Sequence, residues 1–82
     1  MAMSRADQLT QAGFAYPVAI EIDRQMTANA GDFKKLMAVG IPPLQASELA
    51  SHITAQSFNE QKLTLAGWNS AVAKVLKQQS GH

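Results

Sequence analysis

Glu48 and His52, four residues apart on one helical stretch, pair a carboxylate with an imidazole, the residue types that acid–base and metal sites use. Such a pair needs more before it can act. A metal shell takes three or four ligands, and a general base needs a nucleophile or a substrate site within reach. His82 is the only other histidine and there is no cysteine. Glu21, Asp23 and Asp32 read as solvated charges. Glu48 and His52 therefore read as a surface pair, sharing the outer part of their helix with Gln45, Ser47 and Ser51. No catalytic, cofactor-binding or metal-binding residue is expected, and the chain reads as not an enzyme.

The charges exclude little else by themselves. Seven Lys and Arg against six Asp and Glu leave a net charge of +1, too little for a strong nonspecific field toward nucleic acid or an anionic membrane. Lys34, Lys35, Lys62, Lys74 and Lys77 would form a basic edge if the chain stacked in units, but they read first as solubility charges, so nucleic acid is not the expected partner. Arg5 and Asp7 break up the N-terminus as a signal peptide, and no apolar run approaches about 18 residues, so no membrane span is expected. The absence of cysteine suits a reducing compartment. The hydrophobic content of 46% leans on alanine and includes five aromatics, which predicts a thin core.

What must position any site is a repeat. Displacing the sequence by 27 residues aligns Leu9, Leu36 and Leu63, then Gly13, Gly40 and Gly67, then the bulky Phe14, Ile41 and Trp68. Farther along, Ala19, Ala46 and Ala73 align, followed by Ile22, Leu49 and Leu76. In the middle unit, Phe33, Leu36 and Met37 lie on one stripe of a helix of about two turns. Gly40 ends that helix, because glycine takes the left-handed conformation without a Cβ penalty. Ile41 should face inward, and Pro42 and Pro43 suit the first turn of a second helix. Its inner face would be Ala46, Leu49, Ala50 and Ile53.

The same reading extends to the flanking units. Ser4 with Asp7 is an N-cap pair for a helix over 5–12, and Tyr16 and Pro17 open a second that carries Val18, Ala19, Ile22 and Met26 inward. Residues 27–32 and 54–56 read as linkers. Ser57 and Glu60 have the spacing of a capping box, and Asn69 is a natural N-cap for a last helix with Val72, Ala73, Val75 and Leu76 inward. Met1 to Ser4 and Gly81-His82 should be loose. The expected fold is all-α, a compact bundle of about five or six short helices in a single domain over 1–82, with repeats near 5–28, 32–55 and 59–79.

Each unit resembles the first helix-turn-helix of ubiquitin-associated-type domains, with leucine four before the glycine, a bulky apolar residue after it and alanine six after it. Ala12, Val39 and Ala66 stand where that family carries methionine. The resemblance implies a hinge loop that contacts a partner. The middle span also resembles a DNA-binding helix-turn-helix through Gly40, Ile41, Ala46, Ser47 and Leu49, although Leu36 replaces a small residue and Gln45, Glu48 and Ser51 bring no guanidinium or ammonium to the recognition helix. Over about residues 6–77, the Gly-hydrophobic-Pro and Ala-x-x-Leu repeats are similar to alanine-rich helical repeats of small bacteriophage virion proteins, head-fibre or capsid-associated. That similarity implies a structural role, a coat or tail protein or a second copy as partner, and a location in the virion or cytoplasm.

The function expected is a non-catalytic assembly or accessory module of a larger particle, with a small DNA-binding protein as the alternative and no cofactor or small-molecule substrate. The candidate partner-binding residues are Phe14, Tyr16, Ile41, Phe58 and Trp68. Trp68 reads as core first and as an exposed anchor if the last unit packs incompletely. Phe58, outside the repeated columns, reads as a hydrophobic staple or a partner contact.

Overall fold

The computed structural model describes residues 3–80, so Met1, Ala2, Gly81 and His82, with the looseness expected of them, lie outside the described residues. Six helices and no strand form among those residues: α1 Arg5–Gln11, α2 Tyr16–Ala28, α3 Phe33–Ala38, α4 Pro43–Ala55, α5 Glu60–Leu65 and α6 Ser70–Ser80. Each repeat is thus a short helix followed by a long one.

The short helices start on side-chain caps. Ser4 Oγ accepts the Asp7 N–H at 3.1 Å, and Asp32 and Asn59 Oδ1 accept the Lys35 and Lys62 N–H groups at 3.0 Å. The capping box expected of Ser57 and Glu60 does not form. Asn59, which shares a column with Asp32, takes the cap instead and makes Glu60 the first helical residue. Asn69 caps α6 as expected, accepting from the Ala71 N–H at 2.8 Å.

All three short helices stop in the same way. Gly13, Gly40 and Gly67 have φ of 117°, 107° and 111°, and the following N–H reaches back to the column leucine: Phe14 to Leu9, Ile41 to Leu36, Trp68 to Leu63, at 3.0–3.2 Å. The long helices α2 and α4 end on left-handed Asn29 and Gln56, so they run through Ala28 and Ala55. The first linker accordingly shrinks from 27–32 to 29–32 and the second moves from 54–56 to 56–59, because solvent-facing last turns carry no apolar period.

Nine residues at the aligned leucine, alanine and large-aliphatic positions have 0% exposure: Leu9, Leu36, Leu63, Ala19, Ala46, Ala73, Ile22, Leu49 and Leu76. They close one core because the units form a cycle. Besides the pairing within each unit, α2 packs on α3, α4 on α5, and α6 returns to α1. Gln79 Nε2 donates to Gln8 Oε1 across that last junction. A short-plus-long pair cannot bury its own apolar face, and closure supplies the missing neighbour at both ends. Ala46, on the long helix that packs on α3, is fully buried. Ala46→Leu is expected to destabilise the fold by about 1–3 kcal/mol through overpacking; a melting temperature equal to wild type would contradict that packing.

Closure also explains three departures from the expected faces. The short helix α3 has fewer than two turns and buries only Leu36, leaving Phe33 and Met37 40% and 38% exposed rather than inward. The long helices touch two neighbours each and bury a second stripe. His52, expected outside, is buried on α4, and Glu21, expected in solvent, is buried on α2. The Glu21 carboxylate is taken by Gln25 Nε2 at 3.1 Å and Arg24 Nη1 at 3.4 Å. Gln25 also clamps the backbone of Asp32, accepting its N–H at 2.9 Å and donating to its carbonyl at 3.2 Å. Gln25, His52 and Gln79 share one column, and each faces the junction to the next unit in the cycle.

Candidate interaction surface

The Glu48–His52 pair is not a carboxylate–imidazole site. His52 Nδ1 lies 2.7 Å from the Glu48 carbonyl oxygen, which only accepts, so Nδ1 carries the proton. The ring is buried edge-on against Phe58, with centroids 5.4 Å apart. His52 is therefore a junction residue. Among the described residues no three His, Cys, Asp or Glu side chains gather at metal-binding distance, and no helix is long and apolar enough to cross a membrane.

The five candidate partner-binding residues do not make one surface. Ile41, Phe58 and Trp68 are buried in the core, and Phe14 is half-buried against that core. The column after the hinge glycine turns inward and joins the units. Phe14 and Trp68, from the first and third, meet with ring centroids 5.7 Å apart and planes tilted by 54°. Trp68 Nε1 donates to the Gln45 carbonyl at 3.2 Å, and Gln45 Nε2 donates to the Gly67 carbonyl at 2.8 Å. Tyr16 alone of the five is largely exposed, at 59%.

The apolar side chains left in water are others: Leu65 at 86% and Leu44 at 66%, with Tyr16, Phe33, Met37 and Met3. The two bonds of Gln45 tie the residue after Leu44 to the turn that follows Leu65, so both leucines flank the α4–α5 junction. Sequence reasoning missed them because neither holds a repeated column. Leu44 stands where the other units have Pro17 and Ala71, and Leu65 where they have Gln11 and Ala38. That mismatch was the available signal.

Ion pairing leaves the basic residues uneven. Arg5 pairs with Asp23 at 3.2 Å, Arg24 with Glu21 at 3.4 Å and Lys77 with Glu60 at 3.9 Å. Lys34, Lys35, Lys62 and Lys74 have no ion pair among the described residues, and two of the four sit on α3. Helix α4, the counterpart of a recognition helix, contains neither Lys nor Arg. A cavity of about 300 Å³ opens where the long helices end, lined by the column Met26, Ile53 and Ser80 together with Arg5 and Phe58. Comparison of the chain with protein families, with curated proteins and with solved structures finds no match.

Proposed function

We propose that this chain is a non-catalytic protein-interaction module. The observation that carries the reading is the pair of leucines at the α4–α5 junction. Leu44 and Leu65 belong neither to the buried core nor to the side chains packed against it, and both keep most of their surface in water. Large exposed aliphatics held at one junction of a small chain are surface available to another protein. The finer reading, an assembly or accessory component of a virion-like particle docking on coat or tail protein or on its own copies, rests on the repeat pattern of the sequence. The DNA-binding alternative draws no support from α4, whose exposed residues include Leu44, Ser47 and Ser51 but no cation.

The test is the chain with Leu44→Ser and Leu65→Ser together. Its melting temperature is expected to match wild type, because no core contact is removed. Self-association on sedimentation, or a co-complex with a protein purified from the native source, is expected for wild type and lost in the double variant. Affinity for a DNA duplex that falls steeply between two salt concentrations, with the association unaffected by the leucine changes, would replace this reading with the nucleic-acid one.

A further inference from the structure

The repeat provides its own control for what the fold requires. At the three core columns the units agree in character, and the outer face of the short helix is where they part. The first unit presents Asp7, Gln8 and Thr10, and the third Gln61, Lys62 and Thr64. Both threonines turn back on their own helix, each Oγ1 donating to the carbonyl four residues before it, of Ala6 and of Glu60. In the same columns the middle unit carries Lys34, Lys35 and Met37, with Phe33 one position ahead. All four are exposed. Phe33 and Met37, four apart, form one apolar stripe along α3.

Charge decides what would cover that stripe. Helix α3 has no acidic residue, and its two lysines are unpaired among the described residues. The acids nearby are engaged: Asp32 Oδ1 caps the Lys35 N–H at 3.0 Å, and Glu21 is held by Arg24 and Gln25. A second copy of this chain is a poor occupant. Asp7, Asp32 and Glu48 are without an ion pair among the described residues; Asp32 is spent on its helix cap and the other two lie on separate helices, so copies docking here would set lysine against lysine. A phosphate backbone would meet the lysines and leave Phe33 and Met37 uncovered.

We infer that the outer face of α3 docks an acidic, amphipathic helical segment of another protein, its apolar residues on Phe33 and Met37 and its carboxylates on Lys34 and Lys35. The inference rests on the interaction reading above and names the partner chemistry for a second face. The footprint is six residues of one helix, so the contact is weak and salt-sensitive.

The probe is a labelled helical peptide of about 15 residues with leucine at every third or fourth position and glutamate beside them; a copy with lysine for glutamate is the control. Fluorescence anisotropy with the full chain is expected to show binding of the acidic peptide that weakens with salt. Amide shifts should centre on residues 33–38. Lys34→Glu with Lys35→Glu is expected to lose about tenfold in affinity or more and to gain binding of the lysine peptide. Phe33→Ser with Met37→Ser should lose a similar factor with an unchanged melt. Equal binding of the two peptides, no binding, shifts centred elsewhere, or duplex DNA taking the same site overturns the inference. If wild-type association persists and depends on Leu44 and Leu65 while this peptide fails, the α3 assignment falls alone; if neither is seen, both readings fall.

Discussion

Leu49→Ala is expected to remove about 3–5 kcal/mol from the unfolding free energy, the upper range for truncating a fully buried leucine. Leu49 lies on α4, the long helix of the middle unit, which packs on α3 and α5 and so faces neighbours on both sides of the cycle. Its exposure is 0%, and the side chains around it are themselves core, so the void left by alanine has few atoms free to refill it. A chain of 82 residues has about 4–12 kcal/mol of stability in total. The loss is therefore at least about a quarter of the total. Urea unfolding at 25 °C measures it, with Leu44→Ala as the comparison, since that leucine is 66% exposed and should change stability by no more than about 0.5 kcal/mol. Equal costs for the two would show that the closed core does not exist as described.

Gly31→Ala is expected to destabilise by about 2–4 kcal/mol, for a reason unconnected with backbone torsion. A Cβ at Gly31 would stand 2.0 Å from the carbonyl oxygen of Ala50 and 2.6 Å from its Cα, so the obstacle is the backbone of α4 rather than a side chain that can rotate away. Relief requires lifting the linker at 29–32. That breaks the bond from the Gly31 N–H to Thr54 Oγ1, 2.9 Å, and pulls Asp32 from the Gln25 clamp. Gly40→Ala isolates the other mechanism. Its Cβ meets nothing within 4 Å, and only the φ of 107° is strained, at about 1–2 kcal/mol. Should Gly31→Ala prove the milder of the two by denaturant unfolding, the close approach of linker to α4 is wrong.

Gly31 and Phe58 occupy the same column, which shows how far the repeat could be read. At the first linker the chain passes so close to α4 that no side chain fits. At the second, a phenylalanine fills the gap, lining the cavity with Ile53 and packing on the His52 ring. The alignment ranks such a column as unrepeated and is silent about it. Leu44 and Leu65 are illegible in the repeat for a related reason, since they stand where the three units differ. Three of the five expected partner-binding residues, Phe14, Ile41 and Trp68, stand in the hinge column, where Ile41 and Trp68 are buried by the closing of the units on one another.

Local pattern alone determined the alternation of short and long helices, the three glycine hinges, and the nine positions that reach zero exposure. These follow from the 3.6-residue period and from glycine's access to positive φ, both properties of a few consecutive residues. Tertiary structure decided how many neighbours each helix has. With α6 closed onto α1, each long helix lies between two short ones, which buries Gln25 and His52 on stripes that a single-sided reading assigns to water. Each short helix also has two long neighbours but, at six or seven residues, buries a single line, which leaves Phe33 and Met37 outward although their spacing from Leu36 is that of a core stripe. Periodicity says which residues share a face; only the arrangement of the other helices says whether that face is covered.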